Sequence, residues 1–375
     1  MNAWPKIALG EIARPKQWPV LPRSEMHGGK FPVYGANGRI GFASKFTHEK
    51  PTLLIGCRGS CGSVHVTEPY SYATGNAMAL DELNKSRADI QYLCHFFRHR
   101  GFQDVITGTS QPQIIQQNLV RVEVPLPPLP EQRRIAAILD HADALRAKRR
   151  AALARLDEMA QAIFVEMFGP PPYSETVALH ECVEDFRYGT SEKSASDGRP
   201  TLRIPNVISG TINLNDLRFV PVSDIEFQRL SLRQEDILFV RTNGNPDYVG
   251  RCATVQSNLG ADCNLRPSDF AYASYLIRAR LKAELLDPVF LCAFLSMKAG
   301  RKQIRERAKT SAGQFNINTD GLGSLHVPRM TFAAQTDFRS MTEGLNVVRG
   351  LHHQHTAALD TLFASLQHRA FTGAL

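Results

Sequence analysis

The sequence predicts a mixed α/β (α+β) chain built as two similar units, each a strand-rich globular segment followed by one long helix. The two long helices are expected to pair antiparallel. Three observations carry this expectation: an internal repeat, a Val-Pro exit ahead of each helix, and apolar stripes at helical spacing along both.

The repeat is ungapped over its helical half. Gln111-Pro112-Gln113-Ile114, Leu119, Val122 and Val124-Pro125 match Gln314-Phe315-Asn316-Ile317, Leu322, Leu325 and Val327-Pro328 at an offset of 203 residues. The same register pairs Gln132 with Gln335, Leu156-Asp157 with Leu359-Asp360, Ile163 with Leu366 and Phe168 with Phe371. A weaker echo links Ile7-Ala8-Leu9 to Val177-Ala178-Leu179 at an offset of 170, so the second variable part is longer by about 33 residues. Self-similarity at so long a period marks duplication of a whole structural unit.

The first globular segment leaves through Val124-Pro125-Leu126-Pro127-Pro128-Leu129-Pro130. Prolines lack the amide donor and hold the chain extended, and Pro130 suits a helical first turn. From about Pro130 to Phe168 the apolar positions are Ile135, Ile138, Ala142, Leu145, Ala152, Leu156, Met159 and Ile163. The second helix carries Phe338, Met341, Leu345, Val348, Leu359, Leu362 and Leu366. Alternating steps of three and four describe a coiled-coil seam. The seam breaks at Arg149 in one helix and at His352 and His355 in the other, which predicts a polar layer that fixes register. At 1.5 Å per residue, nearly forty residues span about 58 Å, which suits a spacer. Gly169-Pro170-Pro171-Pro172 ends the first helix.

Composition sets outer limits. A chain of 375 residues with 43% hydrophobic content is long enough for two cores. No run of 18 apolar residues occurs, so no membrane span is expected. The start, Met1-Asn2-Ala3-Trp4-Pro5-Lys6, lacks a signal-type apolar core, and the expected location is cytoplasmic. Seven irregularly spaced cysteines read as reduced thiols. The net charge of +8 suits a polyanionic partner. Residues 1–125 hold 14 Lys+Arg against 9 Asp+Glu, whereas residues 170–328 hold 19 against 18, of which 14 are Arg. The second segment should therefore rely on placed arginines more than on bulk charge.

The string Pro127-Pro128-Leu129-Pro130-Glu131-Gln132-Arg133-Arg134-Ile135-Ala136, continuing to Asp143, resembles the central conserved region of specificity (S) subunits of type I restriction–modification systems. Thr109-Ser110-Gln111-Pro112-Gln113-Ile114, Phe31-Pro32-Val33-Tyr34-Gly35-Ala36-Asn37-Gly38 and Asp236-Ile237-Leu238-Phe239-Val240-Arg241 are similar to that family's target-recognition domains. The second helix entry, Arg329-Met330-Thr331-Phe332-Ala333-Ala334-Gln335, departs from the Pro-rich form.

The resemblance implies target-recognition domains at 1–125 and 170–328, with conserved spacer helices at 126–169 and 329–375. It implies a non-catalytic subunit that binds a bipartite site on double-stranded DNA. Two methyltransferase subunits, holding the S-adenosylmethionine chemistry, and restriction subunits would assemble on it. No cofactor is expected in this chain. The helices would set the spacing of the half-sites, bounded at about 17 base pairs by their length.

There is no Gly-x-x-x-x-Gly-Lys-Ser/Thr phosphate loop. Asn245-Pro246-Asp247-Tyr248 approaches the Asn/Asp-Pro-Pro-Tyr/Phe form of amino-methyltransferases, so a DNA adenine methyltransferase with fused recognition domains is the enzymatic alternative. The surrounding Asn243-Gly244-Asn245-Pro246 reads better as a turn. A structural adaptor that never meets DNA is the third reading. Cys57, Cys61, His65 and Cys94-His95 lack the usual zinc spacing, and no metal is expected.

Arg, Asn and Gln can meet base edges bidentately, while Lys mostly neutralises phosphate. On that ground the DNA-contact candidates in the first domain are Asn37, Arg39, Lys45, Arg58, Ser60, Asn76 and Gln111. In the second they are Arg203, Asn206, Arg241, Asn243, Asn245, Arg266, Gln314 and Asn316. The run Arg301-Lys302-Gln303-Ile304-Arg305-Glu306-Arg307 is expected on a helix.

Overall fold

A computed structural model of the chain describes residues 4–108, 111–214, 216–257, 265–311 and 313–375. Met1–Ala3 of the start and Thr109-Ser110 of the exit string lie outside the described residues. The chain divides into two compact units, residues 1–149 with 356–375 and residues 150–355. Both cuts fall where the apolar stripes break, at Arg149 and His355. Each unit therefore contains one globular segment and about half of each long helix. Among the described residues no helix is long and apolar enough to cross a membrane.

In the first unit, a four-stranded antiparallel sheet runs in the order Arg14–Gln17, Ala77–Asp81, Leu53–Gly56, Val64–Val66. A three-stranded sheet, Gly38–Ala43, Phe31–Gly35, Tyr72–Ala73, has its last pair parallel. Entry and exit are closed against each other: Lys6–Ala8 pairs antiparallel with Glu123–Pro125, setting Ile7 opposite Val124. The helix Ile90–Arg100 covers the larger sheet. Asp89 caps its N-terminus by accepting from the N–H groups of Gln91 and Tyr92 at 3.0 and 3.1 Å, and Gly101, at φ 68°, releases its C-terminus. Its apolar face joins Leu9, Ile55, Phe102, Ile135 and Leu139 in one core.

The second unit repeats this order. The four-stranded sheet is Val183–Tyr188, Leu276–Leu281, Ile237–Val240, Cys252–Thr254. The three-stranded sheet is Arg218–Val220, Arg199–Leu202, Ala271–Tyr272, again with a parallel last pair. Thr176–Ala178 pairs with His326–Pro328, setting Val177 opposite Val327. The strand pair Ile7–Val124 thus has its counterpart in Val177–Val327, which reconciles the two sequence offsets in a single element. The added length includes the helices Ile204–Val207 and Asp224–Leu230. The basic run Arg301–Arg307 lies on the helix Lys298–Arg307, as expected.

The long helices span Leu129–Phe168 and Phe332–Thr372 and pack as an antiparallel pair. The expected apolar seam needs correction. Ile135 and Phe338 are buried, and Ile138, Leu156, Ile163, Leu345, Leu359 and Leu366 are half-buried. Leu145, Met159, Met341, Val348 and Leu362 are exposed. Ala142 of the expected stripe is also buried, and the buried face otherwise runs through Leu139, Phe164, Thr342 and Ala370. The reason is that each half-helix also packs on a globular body, so its buried face is turned away from an ideal two-helix seam. Much of the helix–helix contact is polar. In the first unit Arg146 bridges Asp143 and Asp360 at 2.8 and 2.6 Å and lies over the Phe363 ring at 4.3 Å. In the second Arg349 pairs with Asp157 at 3.1 Å, beside the Phe164–Phe338 ring contact.

Candidate nucleic-acid interface

In the first unit four turns abut at one end of the larger sheet. The hairpin turn Ala36-Asn37 is held by the Ser63 hydroxyl, which donates to the Ala36 carbonyl. The loop after Gly56 is held by Asn76, whose carbonyl accepts from the N–H groups of Cys57 and Arg58 at 2.9 and 3.2 Å. Ile114 N–H donates to the Cys57 carbonyl at 3.0 Å, and Arg58 bridges Gln113. Asn37, Arg58, Ser60, Asn76 and Gln111 are all exposed on these turns. Small residues are required here. Gly59 and Gly62 lie at positive φ, and a Cβ on Gly56 would meet the Ser60 carbonyl. Within Cys57-x-x-x-Cys61-x-x-x-His65, a cysteine serves this loop: the Cys61 thiol donates to the Pro112 carbonyl at 2.9 Å.

Arg39 and Lys45 sit on the neighbouring hairpin strand and the segment after it. Arg39 pairs with Glu68 at 3.1 Å and Lys45 with Glu25 at 2.8 Å, all four side chains about half exposed. Pairs so exposed to water are weak, so both cations can exchange their partner for a phosphate.

In the second unit the equivalent end of the sheet carries a three-stranded ladder, where the first unit has the pair Ile106–Thr107 with Gln113–Ile114 and the bridge from Arg58 to Gln113. Thr242–Asn243 pairs with Gln314–Asn316, which pairs with Lys309–Ser311. Thr242 opposite Asn316 corresponds to Arg58 opposite Gln113 in the first unit. Ile317 N–H donates to the Arg241 carbonyl at 2.9 Å, as Ile114 does to Cys57. Arg241 donates to the Ser274 carbonyl at 3.2 Å, and its guanidinium lies over the Tyr188 ring at 4.8 Å. Asn243 Oδ1 accepts from the N–H of Asn245, and Asn245 Oδ1 from that of Asp247, each at 2.9 Å. The Asn-Gly-Asn-Pro segment is therefore a pair of side-chain-closed turns. The Oδ1 atoms of both asparagines are thus taken up by the turn. Arg241, Asn243, Asn245, Gln314 and Asn316 come together on this surface.

Three second-domain candidates do not join it. Asn206 is only 1% exposed. Its Oδ1 accepts from the Arg203 N–H at 2.8 Å and its Nδ2 donates to the Asn213 carbonyl at 2.7 Å, so it closes a loop and cannot reach a base. Arg203 pairs with Asp216 at 2.8 Å. Arg266 is exposed ahead of the short helix Pro267–Asp269.

The arginine surplus of this unit is also partly internal. Arg278, 2% exposed, pairs with Asp185 across the sheet. Arg280 forms a bidentate pair with buried Asp236 at 2.8 and 2.7 Å. Arg301 donates to the carbonyls of Asp247 and Val249. These arginines serve the fold, so the placed arginines expected to act on DNA are to be sought among the others.

Sequence reasoning missed Tyr188 and Tyr275. Tyr275 is 57% exposed, and its carbonyl accepts from the Arg241 N–H at 2.9 Å, the role of Asn76 in the first unit. The 203-residue register does not align these two residues, so only a gapped comparison of Thr74-Gly75-Asn76 with Ala273-Ser274-Tyr275 would have found it.

Comparison with known proteins follows the same lines. A family described as "Type I restriction modification DNA specificity domain" matches residues 1–155. The chain is 26% identical over 310 residues to the type I restriction enzyme EcoKI specificity subunit of Escherichia coli K12, covering 76% of this chain and 65% of that one. It is 24% identical over 258 residues to the StySPI specificity subunit of Salmonella potsdam, covering 62% and 53%. The chain thus spans less than two thirds of the length of these curated relatives. In fold it is similar to the crystal structure of a type I restriction-modification S subunit from M. genitalium, with a TM-score of 0.59, 17% identity, and coverage of 99% and 96%.

Proposed function

We propose that the chain is a specificity subunit of a type I restriction–modification system, as its match over residues 1–155 and its curated relatives support, and that it reads a bipartite site on double-stranded DNA without catalytic chemistry of its own. Residues 1–125 and 170–328 are the two readers, and residues 126–169 and 329–375 the spacer helices. The observation that carries this reading is the duplicated end of the sheet. In both units, equivalent backbone bonds gather Asn, Gln and Arg side chains on abutting turns, exposed in the first unit and exposed or half-buried in the second. Such groups supply donors and acceptors in the paired arrangement that base edges require. Arg39 and Lys45 act on phosphate and position the first reader.

Two methyltransferase subunits and the restriction subunits are the proposed partners. Two similar units offer two similar docking faces, which suits two copies of one partner. S-adenosylmethionine belongs to the methyltransferase subunit, and the proposed location is the cytoplasm. The competing enzymatic reading draws on Asn245-Pro246-Asp247-Tyr248. There Asn245 Oδ1 accepts from Asp247 N–H and Asp247 pairs with Arg305, so both polar side chains hold the turn together.

The test is selection from randomised duplexes by the chain assembled with its methyltransferase subunit. The expected result is two short conserved blocks separated by an unconserved gap of fixed length. A single contiguous block, or S-adenosylmethionine binding by the purified chain alone, would overturn the reading.

A further inference from the structure

The strand Cys252–Thr254 forms the edge of the four-stranded sheet in the second unit. Side chains two apart on a strand share a face, so Cys252 and Thr254 look toward the helix Pro288–Ser296, whereas Ala253 points into the opposite core. On that helix Val289, Cys292, Ala293 and Ser296 make one face by their spacing of three and four. Cys252 donates to the Cys292 sulfur across 3.3 Å, and the Thr254 hydroxyl lies 3.6 Å from the same sulfur. Both cysteines line a cavity of about 400 Å³, together with Arg251, Arg301, Arg349, Asp157 and Asp247.

The two thiols are inequivalent. Hydrogen bonding from Cys252, then from Thr254, and the positive charge of Arg349 hold the Cys292 thiol below the ordinary range against the opposing effect of burial. Cys252, the donor of that bond and buried, is pushed well up. Among the described residues the other cysteines differ: burial pushes Cys57, Cys61, Cys94 and Cys182 up. Two sulfurs 3.3 Å apart on the wall of a cavity have the geometry of an attacking and a resolving cysteine, and the lowered thiol assigns attack to Cys292.

We propose that Cys252 and Cys292 are a peroxide-reactive dithiol site that closes to an intramolecular disulfide. The Cys292 thiolate attacks one peroxide oxygen and breaks the O–O bond. The departing oxygen leaves as hydroxide and takes a proton to become water, and Cys292 becomes a sulfenic acid. Cys252 then gives up its proton and attacks the Cys292 sulfur, expelling the second water as the S–S bond forms. Two thiols lose two electrons and two protons, and one peroxide becomes two waters. The product ties the edge strand behind the turn Gly244–Tyr248 to the helix Pro288–Ser296. An external dithiol reverses it by exchange. This site stands whether or not the second unit reads DNA.

The experiment treats the full chain with one equivalent of hydrogen peroxide and maps it without reduction. The expected result is a mass loss of about 2 Da and one cross-linked peptide joining Cys252 to Cys292, both reversed by dithiothreitol and both retained in Cys263→Ser. In Cys252→Ser the reaction should stop at a sulfenic acid on Cys292 that dimedone traps. In Cys292→Ser, oxidation of Cys252 should slow at least about tenfold. A wild-type map showing oxygen added to separate cysteines without this cross-link overturns the proposal. So does cross-linking to a different cysteine, or unchanged Cys252 reactivity in Cys292→Ser. The wild-type map needs no variant to fold, and near-ultraviolet circular dichroism checks those that are used.

Discussion

Gln132 accepts the backbone N–H of Asp89 at 2.8 Å through its side-chain oxygen, and 203 residues on Gln335 does the same for Asp287, also at 2.8 Å. Each glutamine also donates its amide twice. Gln132 reaches the carbonyls of Arg87 and Pro127 at 2.8 Å, and Gln335 those of Leu285 and Met330 at 3.3 and 2.9 Å. Both are essentially fully buried. Asp89 and Asp287 are the N-caps of the helices Ile90–Arg100 and Pro288–Ser296. One glutamine in each long helix therefore locks that helix to the covering helix of its own globular body. The departure at the second helix entry leaves this lock intact.

Gln132→Ala and Gln335→Ala should each cost about 2–3 kcal/mol, because a buried amide that holds three backbone groups is lost. Each loss should stay within its own unit, so the double variant should be close to additive. Amide hydrogen exchange, read separately in Ile90–Arg100 and Pro288–Ser296, checks this. Equal loss of protection in both units from either single variant would speak against it.

The corrected helix packing separates two sets of apolar residues. Phe164→Ala should destabilise by about 3–5 kcal/mol, because this fully buried ring packs on Phe168, Phe290 and Phe338. Met159→Lys, Leu145→Lys and Leu362→Lys should each change stability by no more than about 0.5 kcal/mol. Thermal melts compare them directly. Unfolding caused by the lysine substitutions would restore the seam read from periodicity alone.

The readers should fail independently. Arg58→Ala and Asn76→Ala should relax selectivity in one half-site only, and Asn243→Ala and Gln314→Ala in the other. Each lost bidentate contact is worth about 1–3 kcal/mol of discrimination. Competition binding of the assembled complex, with each half-site altered in turn, reads the effect. Simultaneous relaxation of both halves by one substitution would assign these residues to folding instead.

Arg39→Ala and Lys45→Ala should lower affinity for all duplexes alike. The slope of log affinity against log salt should fall by about 1 for each cation removed. A change in sequence preference with an unchanged slope would place them on bases.

Much of the architecture was legible in the sequence for a definite reason. The offsets of 203 and 170 describe the two ends of one closed element, Val177 opposite Val327, so a repeat in the chain became a repeat in space. The turn at Asn243–Asp247 was legible because Asn and Gly there have a local backbone role. The helix phase was not, because periodicity reports that a face is buried and not what covers it; Leu145 and Met159 fit the stripe yet face outward. Asn206 and Arg278 were illegible for a related reason. A polar residue is read as surface until its buried partners, here Asn213 and Asp185, are known. Tyr275 stayed hidden because insertions shift it out of the register that reveals the rest.

Methylome sequencing of host cells with and without this chain tests the central claim most directly. The predicted result is one set of methylated sites that disappears with the chain and shares two short blocks at a constant separation. Gln314→Ala should alter only one block. An unchanged methylome on deletion, or loss of sites sharing a single contiguous block, would contradict the account.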